Sequence, residues 1–297
     1  MATAKKDTTL AVRDNFAIAN RYEGLDPELL AELKDEMEYL DPENGILCRQ
    51  IKIPSGGGIA YEVQGEDDDD TDAMKEIEGV IVFTHRLSAF WPSSYGGDDG
   101  TKAPVCSSMD GKTGLNSQTG EVIDCEKCPY NQYGSATDQQ GNRARGKACK
   151  NMRRLYILMN GDPNIYLLTV PPTSIRDVNK QLSKLTASGI PQIGAVVSLT
   201  LEKAKNGSGV AYSKVVIKKK ALLSQAAANK AKLIREELKT QYQSMAITLD
   251  DYTGTAAASP KGQTVDVYPT AEEAAAMGGV VFEEAPPHDD GDAPLPF

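Results

Sequence analysis

The sequence predicts a mainly β protein with a few flanking helices, and three observations support this fold class. Runs of alternating apolar and polar residues recur along the 297-residue chain, separated by turns rich in Gly, Asn, Asp and Pro. Apolar residues at helical spacing occur in only a few segments. A long stretch with most of the cysteines separates two of the β runs, which indicates an insertion with its own stabilising centre.

The predicted strands begin near residue 46. Residues 46–53 and 59–63 flank a glycine-rich turn, so they form a hairpin or one bent strand. Residues 79–91 predict a longer strand, and alternation assigns to one of its faces Thr84, Arg86, Ser88 and Phe90. The remaining alternating runs cover residues 152–159, 165–170, 195–204 and 210–220.

Three helices are predicted around these strands. The first begins at Asp26, a capping residue followed by Pro27, and its leucine stripe predicts a face packed on the main domain, with a partner-binding helix as the alternative. The second covers residues 174–188, and the third covers residues 223–247. Residues 1–24 contain no feature that fixes their structure, so an untethered terminus is expected.

The predicted organisation follows from these elements. Strand, strand, long insertion, hairpin, helix, strand and strand is the element order of an OB-fold, a five-stranded barrel with a helix between its third and fourth strands. The low apolar content near the C-terminus predicts disorder there. The predicted parts are an N-terminal arm and helix (1–44), an OB-fold-like core (45–222) with a lobe inserted at about 96–151, a C-terminal helix (223–247) and a disordered acidic tail (248–297).

Four of the five cysteines have the spacing C-x18-C-x2-C-x20-C, at Cys106, Cys125, Cys128 and Cys149. A Cys-x-x-Cys step brings two thiolates onto one turn, and two further sulfur ligands complete a tetrahedral structural zinc site. A disulfide pair or an iron–sulfur cluster is the alternative. The spacing therefore predicts a zinc-binding lobe with one structural Zn²⁺.

The charge is divided unevenly along the chain. Residues 1–101 contain 9 Lys and Arg against 22 Asp and Glu, residues 102–239 contain 22 against 10, and residues 240–297 contain 1 against 10. A basic core with acidic ends is typical of nucleic-acid-binding proteins. The sequence has no apolar run of membrane-spanning length and no signal peptide, so a cytoplasmic location and no membrane partner are expected.

Enzyme classes find little support in the sequence. The chain has two histidines, one of them in the tail, and it has no P-loop, no Gly-x-Ser-x-Gly and no dinucleotide-binding fingerprint. A histidine-based triad or metal centre would have to depend on His85 alone. The prediction is a binding protein rather than an enzyme.

Single-stranded nucleic acid is the predicted ligand. Lys and Arg neutralise the backbone phosphates, and bases stack on aromatic rings whatever their identity. RNA stays open as a ligand, because these contacts do not distinguish the two sugars. The candidate contacts are Arg86, Phe90, Trp91, Tyr130, Tyr133, Lys147, Lys150, Arg153, Arg154, Tyr156, Tyr212 and Lys214.

The layout resembles the single-stranded DNA-binding proteins of phages and mobile elements, which combine a zinc-containing OB core with an acidic tail. The tip of the chain is similar to the acidic, proline-containing and phenylalanine-ended tip of bacterial single-stranded DNA-binding proteins. That resemblance implies recruitment of replication or recombination proteins through Asp289, Asp290, Asp292, Pro296 and Phe297. Two alternatives remain, a single-strand annealing recombination protein and a zinc-ribbon adaptor that binds only proteins.

Overall fold

The computed structural model describes residues 11–39, 48–66, 70–92, 103–137, 142–205, 209, 211–245 and 247. The helices are α1 (Pro27–Tyr39), α2 (Pro172–Ala187) and α3 (Gln225–Gln241). The strands are β1 (Val12–Arg13), β2 (Cys48–Lys52), β3 (Tyr61–Gln64), β4 (Thr71–Met74), β5 (Glu76–Phe90), β6 (Cys106–Ser108), β7 (Thr113–Asn116), β8 (Val122–Asp124), β9 (Ala136–Thr137), β10 (Arg143–Ala144), β11 (Lys150–Met159), β12 (Ile165–Val170), β13 (Ala195–Lys205) and β14 (Ala211–Leu223).

One sheet contains all of these strands except β9 and β10, which pair with each other. Its main order is β1-β14-β13-β5-β11-β12-β2-β3-β4, and β6, β7 and β8 branch from the far end of β5. The β12–β2 and β1–β14 pairs are parallel, and the other pairs are antiparallel. The prediction of a mainly β fold with few helices is confirmed, and the sheet is curled into a half-barrel. The OB-fold assignment stays a prediction.

The larger hydrophobic core lies between α2 and one face of the sheet, which we call the α2 face. Val178, Leu182 and Leu185 of α2 pack there against strand residues such as Leu155 and Ile157. The curl also brings distant strands together. As a result, the hydroxyl of Tyr61 in β3 donates a hydrogen bond to the Thr200 carbonyl in β13, at 3.2 Å.

The opposite face of the sheet, the α3 face, is covered by α3 and by an N-terminal segment. Phe16 and Ile18 are buried there with Ile234 and Leu238 of α3. The Ala17 backbone N–H also donates to the Asn160 side chain, at 2.8 Å. The expectation of an untethered N-terminus is therefore wrong for residues 11–18, because their two large apolar side chains are buried in the core.

Helix α1 begins as the sequence predicts, but the first leucine of its stripe stays exposed. The backbone N–H groups of Glu28 and Leu29 donate to the Asp26 carboxylate, at 3.0 and 2.8 Å, which confirms the predicted N-cap. Leu29, however, is 55% exposed. The prediction that this stripe packs on the main domain is wrong for Leu29.

Candidate nucleic-acid interface and cysteine cluster

The paired strands β5 and β11 carry a row of polar side chains on the α2 face, beyond its apolar part. The β5–β11 register places Arg86 opposite Arg153 and Ser88 opposite Asn151. Arg153 is two residues from the core residue Leu155, so strand alternation assigns it to the α2 face. We call this row the polar strip; it consists of Thr84, Arg86, Ser88, Asn151 and Arg153.

Arg86 and Arg153 concentrate positive charge on the polar strip. Arg86 is exposed, and burial together with the charge of Arg86 lowers the pKa of Arg153. The Arg153 Nη1 donates to the Thr84 hydroxyl at 3.1 Å, while its buried Nε has no hydrogen-bond partner. Among the described residues, neither guanidinium forms an ion pair with a carboxylate. Two like charges without a carboxylate attract an anion such as a phosphate group.

An aromatic pair lies at the end of the polar strip. The rings of Phe90 and Tyr130 stack with their centroids 4.3 Å apart and their planes at 19°. Tyr130 is 41% exposed, so part of its surface is accessible to solvent. Nearby in sequence, the Lys147 Nζ lies 4.8 Å from the centroid of the exposed Tyr133 ring. These side chains provide exposed aromatic surface and a cation beside the arginine pair.

Hydrogen bonds connect this aromatic pair to the Cys-x-x-Cys turn. The Asn131 amide donates to the Cys125 carbonyl at 2.7 Å, and the Asn151 amide donates to the Asn131 side-chain oxygen at 3.0 Å. The Ser88 hydroxyl in turn donates to Asn151, at 2.8 Å. The Cys149 backbone N–H donates to the Tyr130 carbonyl, at 2.8 Å. The position of Tyr130 is therefore coupled to two of the cysteines and to both strands.

The fold brings the four spaced cysteines into one neighbourhood. A Cβ atom at Gly114 would lie 3.1 Å from the Cys106 Sγ and 3.5 Å from the Cys125 Sγ, so the absence of a side chain there leaves room between the two sulfur atoms. Burial raises the pKa of Cys149 to about 12, and the nearby thiols of the other three cysteines contribute to the rise. Cys48 lies apart from this group, in β2. Within the described ranges, no three His, Cys, Asp or Glu side chains form a ready-made metal site.

The donor set nevertheless fits a zinc ion. Four thiols are a ligand set that structural zinc sites use, and these four converge although they come from separate loops and strands. Zinc favours the thiolate form, whereas burial and neighbouring thiols oppose it in the metal-free cluster.

The structure brings six of the twelve predicted contact residues to this surface and the other six elsewhere. Arg86, Phe90, Tyr130, Tyr133, Lys147 and Arg153 lie on or beside the polar strip. Trp91 packs against the apolar cluster of Leu87, Ala89 and Met152. Tyr212 and Lys214 lie at the opposite end of the sheet, where the Lys214 Nζ pairs with the Asp177 carboxylate at 2.6 Å.

The remaining three candidates are buried. Tyr156 is in the core of the α3 face, within hydrogen-bond distance of His85, and Lys150 is also buried. Arg154 is 1% exposed, whereas its neighbour Arg153 is half-buried. The reason is that α3 and the N-terminal segment cover the face to which Arg154 points, whereas Arg153 points to the other face.

Sequence reasoning did not identify Asn151 as part of the site. Its signal was its position two residues before Arg153, which assigns both side chains to one strand face. The predicted tip residues Asp289, Asp290, Asp292, Pro296 and Phe297 lie outside the described residues.

No protein-family model, no curated protein and no solved structure matches this chain. In the described part of the chain, none of the helices has the length and apolar character needed to cross a membrane.

Proposed function

We propose that this chain is a non-enzymatic, sequence-tolerant single-stranded DNA-binding protein of a phage or mobile element, with the polar strip and the Phe90–Tyr130 pair as its binding surface. The observation that carries the proposal is the stacked Phe90–Tyr130 pair, with Tyr130 exposed, beside two arginines that have no carboxylate partner in the described residues. Stacking surface and phosphate-binding cations are the two parts that such sites combine. In this proposal the curled sheet with α2 between β12 and β13 corresponds to an OB-like core.

Each part of the surface has a defined task in this proposal. Arg86 and Arg153 bind backbone phosphates and displace condensed counterions, which gives affinity without sequence preference. Tyr130 stacks on a base and contributes about 1 to 3 kcal/mol per stacked base. A base must be unpaired and unstacked from its neighbours to offer its face to Tyr130. The surface therefore favours a single strand over a duplex.

The cysteine cluster supports this surface in our proposal. Cys106, Cys125, Cys128 and Cys149 would hold one structural Zn²⁺. The ion would supply the cross-link that fixes the lobe, because the four ligands come from separate loops and strands. Two hydrogen bonds would transmit this rigidity to the aromatic pair. One runs from the Cys149 backbone N–H to the Tyr130 carbonyl, and the other runs from the Asn131 amide to the Cys125 carbonyl.

The experiment that tests the proposed function is a salt-dependent titration of three ligands. The full chain is titrated against a labelled poly-thymidine strand, a matched poly-uridine strand and a matched duplex. We expect tight binding to the thymidine strand and weak binding to the duplex. For each phosphate contact, the logarithm of the affinity should fall by about 0.7 for every tenfold increase in salt concentration. Equal affinity for duplex and single strand, or no binding at low salt, would reject the proposal. A clear preference for the uridine strand would assign RNA as the ligand instead.

A further inference from the structure

Exposed leucines and exposed charges occur on α1 and on α3. Leu29 of α1 is 55% exposed and Leu233 of α3 is 69% exposed, and Leu25, just before α1, is also exposed. We call these three leucines the helix patch. Large apolar side chains grouped on the surface mark an interaction site more often than single ones do.

Contacts between α3 and the segment before α1 bring the two helices to the same side of the molecule. The Lys230 Nζ pairs with the Glu23 carboxylate at 2.9 Å, and the Tyr22 hydroxyl donates to Glu237 at 2.8 Å. Leu233 is three residues after Lys230 and four before Glu237, so it shares their side of α3. The leucine of α3 therefore lies beside the chain that leads into Leu25 and α1.

None of the described leucines of helix α1 is fully buried, although burial of an apolar face normally stabilises a helix of this length. It has 13 residues, and an isolated helix of that size is marginal in water. Its described leucines are exposed or only half-buried, and its described acidic residues are exposed. A partner that covers Leu29 would supply the missing apolar contact.

The two helices have complementary charges. The exposed charged residues described on α1 are all acidic, namely Glu28, Glu32, Asp35 and Glu36. Those on α3 are mostly basic, namely Lys230, Lys232 and Lys239 with Glu236. A surface that carries one acidic and one basic helix is self-complementary under a two-fold rotation, which is the requirement of an isologous dimer interface.

We propose that two copies of this chain form a two-fold dimer through the helix patch, with α1 of each copy against α3 of the other. The leucines would form the apolar centre, and the acidic and basic side chains would set the orientation at the rim. The polar strip is on the α2 face, whereas α3 covers the opposite face. A dimer of this kind leaves both candidate nucleic-acid surfaces accessible and is independent of the proposed function.

The first test is the mass of the full chain in solution without nucleic acid. Sedimentation across a micromolar concentration series is expected to show a shift from 31.9 kDa towards twice that mass. Leu29→Glu and Leu233→Glu are each expected to leave a monomer, with unchanged circular dichroism as evidence of folding. The matched control is Val122→Glu in β8. Val122 is equally exposed and lies on the cysteine lobe, the inserted segment that carries Cys106, Cys125, Cys128 and Cys149, so this variant is expected to dimerise like the wild type. A wild-type chain that stays monomeric throughout, or a dimer that both leucine variants retain, would overturn the proposal.

The second test identifies the helices that meet. A mixture of isotopically light and heavy chains is cross-linked with a carbodiimide, which joins lysine to carboxylate side chains. Mixed-isotope links between Glu28 or Glu32 and Lys232 are expected, because these residues belong to facing helices of two copies. The Glu23–Lys230 pair, at 2.9 Å within one chain, is the internal control and should give unmixed links. If the α1 residues form only unmixed links, which join residues of the same chain, the two-fold arrangement is contradicted.

Discussion

Arg86 and Arg153 are the two residues that provide the electrostatic attraction for phosphate in the proposed site. They oppose each other on adjacent strands, and like charges in that position destabilise a sheet unless an anion is present. Burial also lowers the pKa of Arg153, which indicates that its charge is partly desolvated in the free protein. A phosphate between the two guanidinium groups would relieve both effects.

We therefore predict that Arg86→Ala and Arg153→Ala each reduce the salt dependence of binding to poly-thymidine. Each variant should lose about one phosphate contact, which lowers the slope of log affinity against log salt by about 0.7. Lys214→Ala is the control, because Lys214 is paired with Asp177 at the other end of the sheet. Unchanged slopes in both arginine variants would contradict the role given to this pair.

His85 is a second residue with a measurable consequence, although it lies on the buried α3 face and not on the polar strip. Its Nδ1 is 2.8 Å from the Met109 carbonyl, and its Nε2 is 3.2 Å from the Tyr156 hydroxyl. Burial, aided by the charges of Arg154 and Arg153, lowers the pKa of His85 from 6.5 to about 4. The folded state therefore favours the neutral imidazole.

This shift predicts that the protein loses stability as the pH falls from about 6.5 towards 4. A depressed folded-state pKa means that the unfolded chain binds the proton first, so His85 contributes stability above pH 6.5 and loses roughly 3 kcal/mol of it by pH 4. Denaturant unfolding at pH 7 and pH 4 measures this loss. The loss should be smaller in His85→Gln, which removes the titrating group, and an equal loss in both proteins would contradict the assignment.

At the scale of elements, the cysteine lobe and the strand pair β5–β11 work as one unit. The lobe continues the sheet, since β6 pairs with the end of β5, and the Asn131–Asn151 bond joins its Cys-x-x-Cys turn to β11. Loss of order in the lobe would therefore displace Tyr130 without removing the cores on either side of the main sheet.

We predict that Cys125→Ser combined with Cys128→Ser abolishes zinc binding and weakens single-strand binding. The wild-type protein should contain about one zinc per chain by elemental analysis. The double variant should contain none, and its lobe should become sensitive to limited proteolysis. Cys48→Ser, in β2 and outside the cluster, is the control and should keep the metal. A metal-free wild-type protein that is fully folded would contradict the zinc site.

Some elements of the fold were predictable from sequence because their signal is local. The alternation of Thr84, Arg86, Ser88 and Phe90 defined one face of β5 correctly, since side chains alternate along any strand. Strand β4 was missed, because its four residues are short, polar and largely exposed, without an alternating pattern. The two-residue strand β1 has no pattern at all, and only its pairing with β14 defines it.

The composition of the site was only partly predictable, because it depends on contacts between distant segments. Sequence alternation separates Arg153 from Arg154, but it does not reveal which face α3 covers. Tyr212 is aromatic and lies in a basic strand, yet the register of β14 on β13 carries it away from the cysteine lobe. Sheet order and helix docking decide such cases, and neither is encoded in the spacing of nearby residues.

At the scale of the whole molecule, we assign DNA binding, dimerisation and partner recruitment to different parts of the chain. The polar strip lies on the α2 face, the helix patch lies on the side of α3, and the acidic C-terminal segment lies outside the described residues. The segment from residue 240 onward carries 10 Asp and Glu against 1 Lys. A polyanion attached to a phosphate-binding surface competes with nucleic acid for that surface.

Deletion of residues 289–297 is accordingly predicted to leave the affinity for poly-thymidine unchanged or to tighten it. The same deletion should abolish binding to any replication or recombination protein that recognises the tip, because the terminal phenylalanine and its carboxylate are removed. A titration of the full and shortened chains measures the first effect. Markedly weaker DNA binding after deletion would contradict the separation of tip and binding surface.

The central claim is that one face of the protein, centred on Tyr130, binds the single strand. The most direct measurement compares the affinities of wild type, Tyr130→Ala and Tyr212→Ala for labelled poly-thymidine at one salt concentration. Both tyrosines were candidates from sequence, but only Tyr130 stacks beside the polar strip. We expect Tyr130→Ala to lose about 1 to 3 kcal/mol of binding free energy and Tyr212→Ala to keep the wild-type affinity. Equal losses, or a loss confined to Tyr212→Ala, would contradict this claim.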